Sequence, residues 1–261
     1  SISTRMPGFV AAALSASAAT FGFFKLPEPE RHARAASRVF GLDHLRRAFT
    51  DDRLRTLFLL YFLAIFSFSA FEAMFTLFGL AVFPGVFGVE SAIEHASREE
   101  ILAAAPIVGR YMAFIGIMAA VIQGGLIRRL VPRYGEAKLA VVGPLLLGAS
   151  LAIVGLAPNW GVVLVGCAVM PLGFGLNNPS LNSLISRASP EDRQGAYLGL
   201  NQSLASLARV SGPLLAGVLF DALGPRSPFL ASAGVLALAT LIAAGFRARH
   251  GASFATAASG P

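Results

Sequence analysis

The sequence predicts an all-α fold, a multi-pass bundle of membrane helices, and three observations carry that prediction. Of its 261 residues, 55% are hydrophobic and only 13% charged, where a soluble domain carries about 25% charge. Mean hydropathy is +0.68. The apolar residues also run in blocks close to the ~20 residues that cross a bilayer, instead of dividing between core and surface periodicities. Backbone groups in lipid must pair within their own segment, so each block is expected to be a helix and not an open strand.

Seven blocks follow in order: 7–24, 54–83, 108–127, 139–156, 160–185, 195–220 and 228–246. The first lacks the basic n-region of a signal peptide, so it is expected to be a span, and the chain the back part of something longer. Thr50-Asp51-Asp52 puts a capping side chain and two carboxylates where the second block starts, matching exposed amides and the positive end of the helix dipole. Before the third block, Ser97-Arg98-Glu99-Glu100 ahead of Ile101-Leu102 matches a capping box and predicts a short surface helix. Within the fifth, Pro171, Gly173, Gly175 and Pro179 are expected to break the backbone ladder. Ser189-Pro190-Glu191-Asp192 supplies a capping serine and a first-turn proline for the sixth. There, Gly195, Gly199 and Ser203 recur every four residues and would let a neighbouring helix come close.

Orientation follows from the basic residues between blocks. Lys25, Arg31, Arg34, Arg38, Arg46, Arg47, Arg53, Arg128, Arg129, Arg133, Lys138, Arg187, Arg193, Arg247 and Arg249 fall in one set of loops, fifteen in all. The alternate set holds four, Arg5, Arg98, Arg110 and Arg226. The first set is therefore expected in the cytoplasm together with the C-terminus, and loop 84–107 outside, in a cell (inner) membrane protein. The net charge of +7 is then a loop property and not a nucleic-acid footprint. Segment 25–53 is the one long basic linker. Its Val39, Leu42, Leu45 and Phe49, at near-helical spacing, are compatible with an amphipathic surface helix or a solvated connector.

Cys167 is the single cysteine, so no internal disulfide and no cysteine-pair metal site can form. The four histidines, His32, His44, His95 and His250, lie outside the blocks, and no HExxH, CxxC or GxSxG arrangement occurs. No enzyme chemistry, cofactor or metal is expected. Lys25 and Lys138, the two lysines, lie in loops, which excludes a buried retinal Schiff base but leaves a seven-helix receptor or scaffold open.

Glu72 and Arg209 are the charged residues deep inside blocks, and an arginine at mid-membrane costs ~2.5–3.5 kcal/mol, so both should face protein or a watery cavity. At ~1.5 Å per residue, Glu72 stands about 27 Å and Arg209 about 21 Å from the inner ends of their helices. They could pair, or Glu72 could exchange a proton under the influence of Arg209, or Arg209 could cap carbonyls with Glu72 in an outer vestibule. Lower down lie Gln123, Asn177, Asn178, Asn182, Asn201 and Gln202, with Ser203 and Ser206. Gln202, Ser206 and Arg209 form one stripe at i, i+4 and i+7. These amides could bind a polar solute, hydrate a cavity, or hold helices together by hydrogen bonds worth ~0.6 kcal/mol each.

The stretches Pro179-Ser180-Leu181-Asn182-Ser183-Leu184-Ile185-Ser186, Gly195-Ala196-Tyr197-Leu198-Gly199 and Ala208-Arg209-Val210-Ser211-Gly212-Pro213-Leu214-Leu215-Ala216-Gly217 resemble the major facilitator superfamily, closest to its tetracycline-efflux-like drug:proton antiporters. Phe24-Lys25-Leu26-Pro27-Glu28 resembles the junction after that family's sixth helix, and the loop from Gly125 to Glu136 its loop between helices eight and nine, without the aspartate of the N-half copy. Gly212 to Gly217 resembles the C-half counterpart of the antiporter motif. The resemblance covers about 7–246. It implies the last helix of an N-terminal half in 1–24, a cytoplasmic loop in 25–53, a C-terminal six-helix bundle in 54–246 and a cytoplasmic tail in 247–261. It also implies a missing N-terminal half as partner, with protons, lipid and a small-molecule substrate. Glu72 and Arg209 become candidates for proton coupling, the amides and Ser206 for the substrate cavity, and Gly125, Pro171, Gly195, Gly199, Gly212, Pro213 and Gly217 for gating or packing. The function expected is proton-coupled export of small drug-like solutes by alternating access. Uptake of a polar metabolite is the alternative within transport.

Overall fold

The computed structural model describes residues 6–25, 49–88, 98–122, 125 and 127–256. They form α-helices and short 3-10 turns, with no strand among the described residues: α1 (Met6–Lys25), α2 (Asp52–Val82), α3 (Arg98–Val121), α4 (Ile127–Tyr134), α5 (Glu136–Leu156), α6 (Trp160–Ala188), α7 (Gln194–Leu223) and α8 (Ser227–Thr256). Two compact units divide the chain, Ser1–Gly41 and Leu42–Pro261. The described part of the first is α1, whose Ser17 and Thr20 hydroxyls donate to the carbonyls of Ala13 and Ala16, satisfying themselves inside an apolar helix. The second unit holds the bundle.

Among the described residues, α2, α5, α6, α7 and the Ser227–Gly251 stretch of α8 are long and apolar enough to span a bilayer, while the apolar part of α3, Gly109–Val121, is shorter. The protein is a multi-pass membrane helical bundle. Its helices pack without a hydrophobic drive between them, so contact depends on how closely backbones approach. The tightest pair is α5 and α6. A Cβ on Gly173 would lie 2.5 Å from the Leu147 amide nitrogen, and one on Gly143 2.9 Å from the Asn177 backbone. Only glycine fits at either position. On the other side of the bundle α2 packs on α7, and α8 closes against α2 and α5.

Two core layers separate the ends of the unit. Leu57, Tyr61, Ala140, Leu184, Tyr197 and Phe246 fill one, between the starts of α2, α5 and α7 and the ends of α6 and α8. That end carries the ion pairs Asp52–Arg249 at 3.5 Å and Glu136–Arg187 at 3.0 Å, and Ser183 Oγ donates to the same Glu136 carboxylate at 3.1 Å. It is the basic end. Phe78, Phe87, Val154, Trp160 and Phe229 fill the opposite layer, where the Trp160 ring meets Phe75, Phe83, Phe87 and Tyr111 at centroid distances of 5.0–5.8 Å. Within this unit, Arg53, Lys138, Arg187, Arg193 and Arg249 of the predicted basic set stand at helix ends beside the first layer, and Arg226 of the alternate set stands between α7 and α8 beside the second.

Four local expectations meet the structure differently. The cap expected within Thr50-Asp51-Asp52 is Asp51, which accepts from the amides of Arg53 and Leu54 at 2.8 and 3.2 Å. Ser189, expected to open the sixth span, instead closes α6: its hydroxyl donates to Ile185 O at 2.6 Å, residues Glu191–Arg193 make a 3-10 turn, and α7 starts at Gln194. The separate surface helix expected after Ser97 is the start of α3, continuous through Pro106 because the apolar residues from Ile101 onward carry the helix straight into the span. The ladder of α6 is likewise unbroken through Pro171 and Pro179; each proline removes a single donor, and the surrounding helix holds. Residues 39, 42 and 45 of the amphipathic pattern and Gln123 lie outside the described residues.

Candidate functional site

The two charged residues singled out from sequence, Glu72 of α2 and Arg209 of α7, stand beside the crossing of those helices. Ser69 Oγ donates to Ala208 O at 3.2 Å, and Gly212 lies so close that a Cβ there would meet the Ser69 hydroxyl and sit 2.5 Å from Phe66 O. Gly212 is therefore the glycine of the Gly212-to-Gly217 stretch that brings α7 onto α2. Ser69 was not singled out from sequence; its signal is the spacing, one turn before Glu72 on the same helix. Glu72 and Arg209 flank this crossing. Both are exposed, and the guanidinium acts electrostatically on the carboxylate without a direct ion pair.

Arg209 continues a stripe with Gln202 and Ser206, both exposed, in which Ser206 Oγ donates to Gln202 O at 3.0 Å. The stripe borders a wide uncovered face of α7, which includes Leu207, Val210, Leu214 and Val218. Only 22% of the apolar window of α7 is buried, against 61% for α2. Gly195 and Gly199 are exposed and half-buried Gly217 joins them in having open space where a Cβ would stand, so none of the three serves a contact within the described chain. Pro213 is half-buried and Pro171 buried. Gly125 is exposed.

The asparagines divide. Asn177 is fully buried against Gly143 of α5. Asn201 of α7, also buried, donates through Nδ2 to Asn182 Oδ1 at 3.1 Å, and Asn182 Nδ2 donates to Asn178 O at 3.0 Å. Asn182 and Asn201, two members of the lower amide group, therefore meet across α6 and α7. The Oδ1 atoms of Asn178 and Asn201 find no partner among the described residues. Both atoms are buried, and an enclosed water is the partner that suits such acceptors. A second polar group, Glu136 with Arg187 and Ser183, joins the basic ends of α5 and α6. Sequence reading missed it because the partners lie 47 and 51 positions apart.

Comparison with known proteins adds the following. The family model described as Major Facilitator Superfamily matches residues 1–211 and, a second time, 126–257. The chain is 32% identical over 234 residues to "Multidrug resistance protein 2" of Bacillus subtilis (strain 168), covering 87% of this chain and 53% of that protein. It is 34% identical over 135 residues to "Multidrug efflux pump Tap" of Mycobacterium bovis, covering 48% of this chain and 31% of the pump. The structure resembles that of the human organic anion transporter MFSD10 (TETRAN) with a TM-score of 0.60 and 26% identity, over 74% of this chain and 41% of that one. The chain thus spans about half, or less, of the length of these relatives.

Proposed function

Given that the chain belongs to the major facilitator superfamily, a family of transport proteins and not of enzymes, we propose that it supplies the C-terminal half of a proton-coupled exporter of small drug-like solutes, working by alternating access. In this reading α2, α3, α5, α6, α7 and α8 form the C-terminal six-helix bundle, with α1 as the last helix of an N-terminal half. The basic end and the C-terminus lie on the cytoplasmic side of the cell membrane, in line with the fifteen-to-four distribution of basic residues. The names of the relatives, two multidrug proteins and an organic anion transporter, support a solute that is small and amphipathic.

The observation that carries the coupling is the Glu72–Arg209 neighbourhood at the α2–α7 crossing. A carboxylate on an uncovered helix face, under the field of a guanidinium, changes its readiness to hold a proton when the surface opposite closes or opens. Rocking of a second half against α2 and α7 would alter water access to Glu72 on each cycle. Gln202 and Ser206, both exposed, then offer hydrogen bonds to the polar end of the solute, and Leu207 and Val210 offer contact to its apolar part.

The test is flux through the full-length transporter in vesicles under an imposed pH gradient. Glu72→Gln keeps shape and hydrogen bonding but cannot titrate, and should abolish gradient-driven export while the protein stays folded in the membrane. Unchanged flux with unchanged pH dependence would move the coupling acid elsewhere. Arg209→Lys keeps the charge and loses the planar donor fork, so it should weaken export less than Glu72→Gln does.

A further inference from the structure

Apart from the α2–α7 face, a groove of about 580 Å³ opens at the basic end of the bundle. Phe49, Phe58, Phe62 and Leu204 wall it, so it runs along the first turns of α2 beside α7, where the Phe49 and Phe58 rings stand 6.3 Å apart. Asp52, Arg55 and Arg249 form its rim, the last contributed by α8. One carboxylate serves two guanidiniums there: Asp52 Oδ1 receives Arg55 at 2.6 Å and Oδ2 receives Arg249 at 3.5 Å. The rim keeps a net positive charge and spare N–H donors, since each guanidinium has five. Both arginine side chains remain about 60% exposed.

We propose that this groove seats one anionic phospholipid, its phosphate against Arg55 and Arg249 and the first part of an acyl chain along Phe49, Phe58, Phe62 and Leu204. Depth and polarity select this occupant. Asp52 is the first residue of a spanning helix and Leu54 already belongs to its buried apolar run, so the rim lies where headgroups lie and the wall where acyl chains begin. A free phosphate would engage the rim and leave four apolar side chains without a role. The second half of a transporter does not account for the groove either. Leu204 lies two residues, roughly 200°, round α7 from Gln202, on the opposite flank from the polar stripe. The inference is independent of the transport reading.

Native mass spectrometry of the purified chain, offered equal phosphatidylglycerol and phosphatidylcholine, tests it. One phosphatidylglycerol should be retained in preference to phosphatidylcholine. The Arg55→Gln/Arg249→Gln pair should lower that preference by roughly fivefold per arginine, and Arg55→Lys/Arg249→Lys should keep most of it. Leu204→Trp, which fills the groove but leaves both guanidiniums, should abolish retention with helicity unchanged by circular dichroism. Inorganic phosphate should not displace the lipid. Equal retention of the two lipids, retention surviving both the glutamine pair and Leu204→Trp, or displacement by phosphate would each overturn the proposal.

Discussion

The α5–α6 contact and the open face of α7 are built from the same small residues and end in opposite states. In the contact, Gly143 and Gly173 lie so close to the neighbouring backbone that no side chain fits. On α7, Gly195, Gly199 and Gly217 meet nothing within 4 Å. A glycine row therefore states that a backbone may be approached, and the tertiary structure decides whether it is. The difference separates helix contacts that hold this bundle together from a face that the described chain leaves uncovered, and α7 bears beside that face its polar stripe, which includes the Arg209 that acts on Glu72.

The largest expected effect comes from blocking the closed contact. Gly173→Leu forces backbone and side chains of α5 away from α6 and should cost about 3 kcal/mol, at the upper end of overpacking effects, read as a clear fall in thermal unfolding temperature in detergent. An unchanged melting temperature would mean that α5 and α6 are not packed this closely. Next comes Arg187→Gln, which leaves Glu136 with its serine alone at the basic end of the same contact. The two side chains are only 25% and 19% exposed, so the loss should be about 1–2 kcal/mol, more than for a surface pair. Gly199→Leu should do least to the stability of the chain, within about 0.5 kcal/mol, since it points into open space. The same substitution in the full-length transporter should reduce export. A stability loss as large as that of Gly173→Leu would erase the distinction between the two regions.

What the sequence disclosed and withheld follows the same division. Five of the seven expected spans, in α2, α5, α6, α7 and Ser227–Gly251, were legible because the bilayer sets a length and their apolar blocks match it. A cap within Thr50-Asp51-Asp52 was legible because its partners are the next amides of its own helix. Ser189 was not, because it stands between two helix termini, and the choice between them depends on where the chain turns. The sequence placed Asn177, Asn182 and Asn201 in one lower group, yet depth could not say that Asn201 meets Asn182 while Asn177 faces α5 and is sealed against Gly143. Period and rise fix height along a helix; direction belongs to the packing. Counting likewise gave the heights of Glu72 and Arg209 but not that they make no direct ion pair, and Ser69, which ties α2 to α7 beside them, offered only its spacing.

Water access along α7 measures the central claim directly. In a cysteine-free background, with Cys167, buried in this chain, replaced by alanine, Ser206→Cys is introduced into the full-length transporter and labelled in membranes with a water-soluble maleimide. The account predicts labelling at Ser206→Cys that a transported solute slows, and no such protection for a cysteine at Leu214, which lies up the apolar part of the same face. A Ser206→Cys that resists the water-soluble reagent but reacts with a lipid-soluble one would place the stripe against the bilayer and contradict the assignment of α7 as the lining of a transport path.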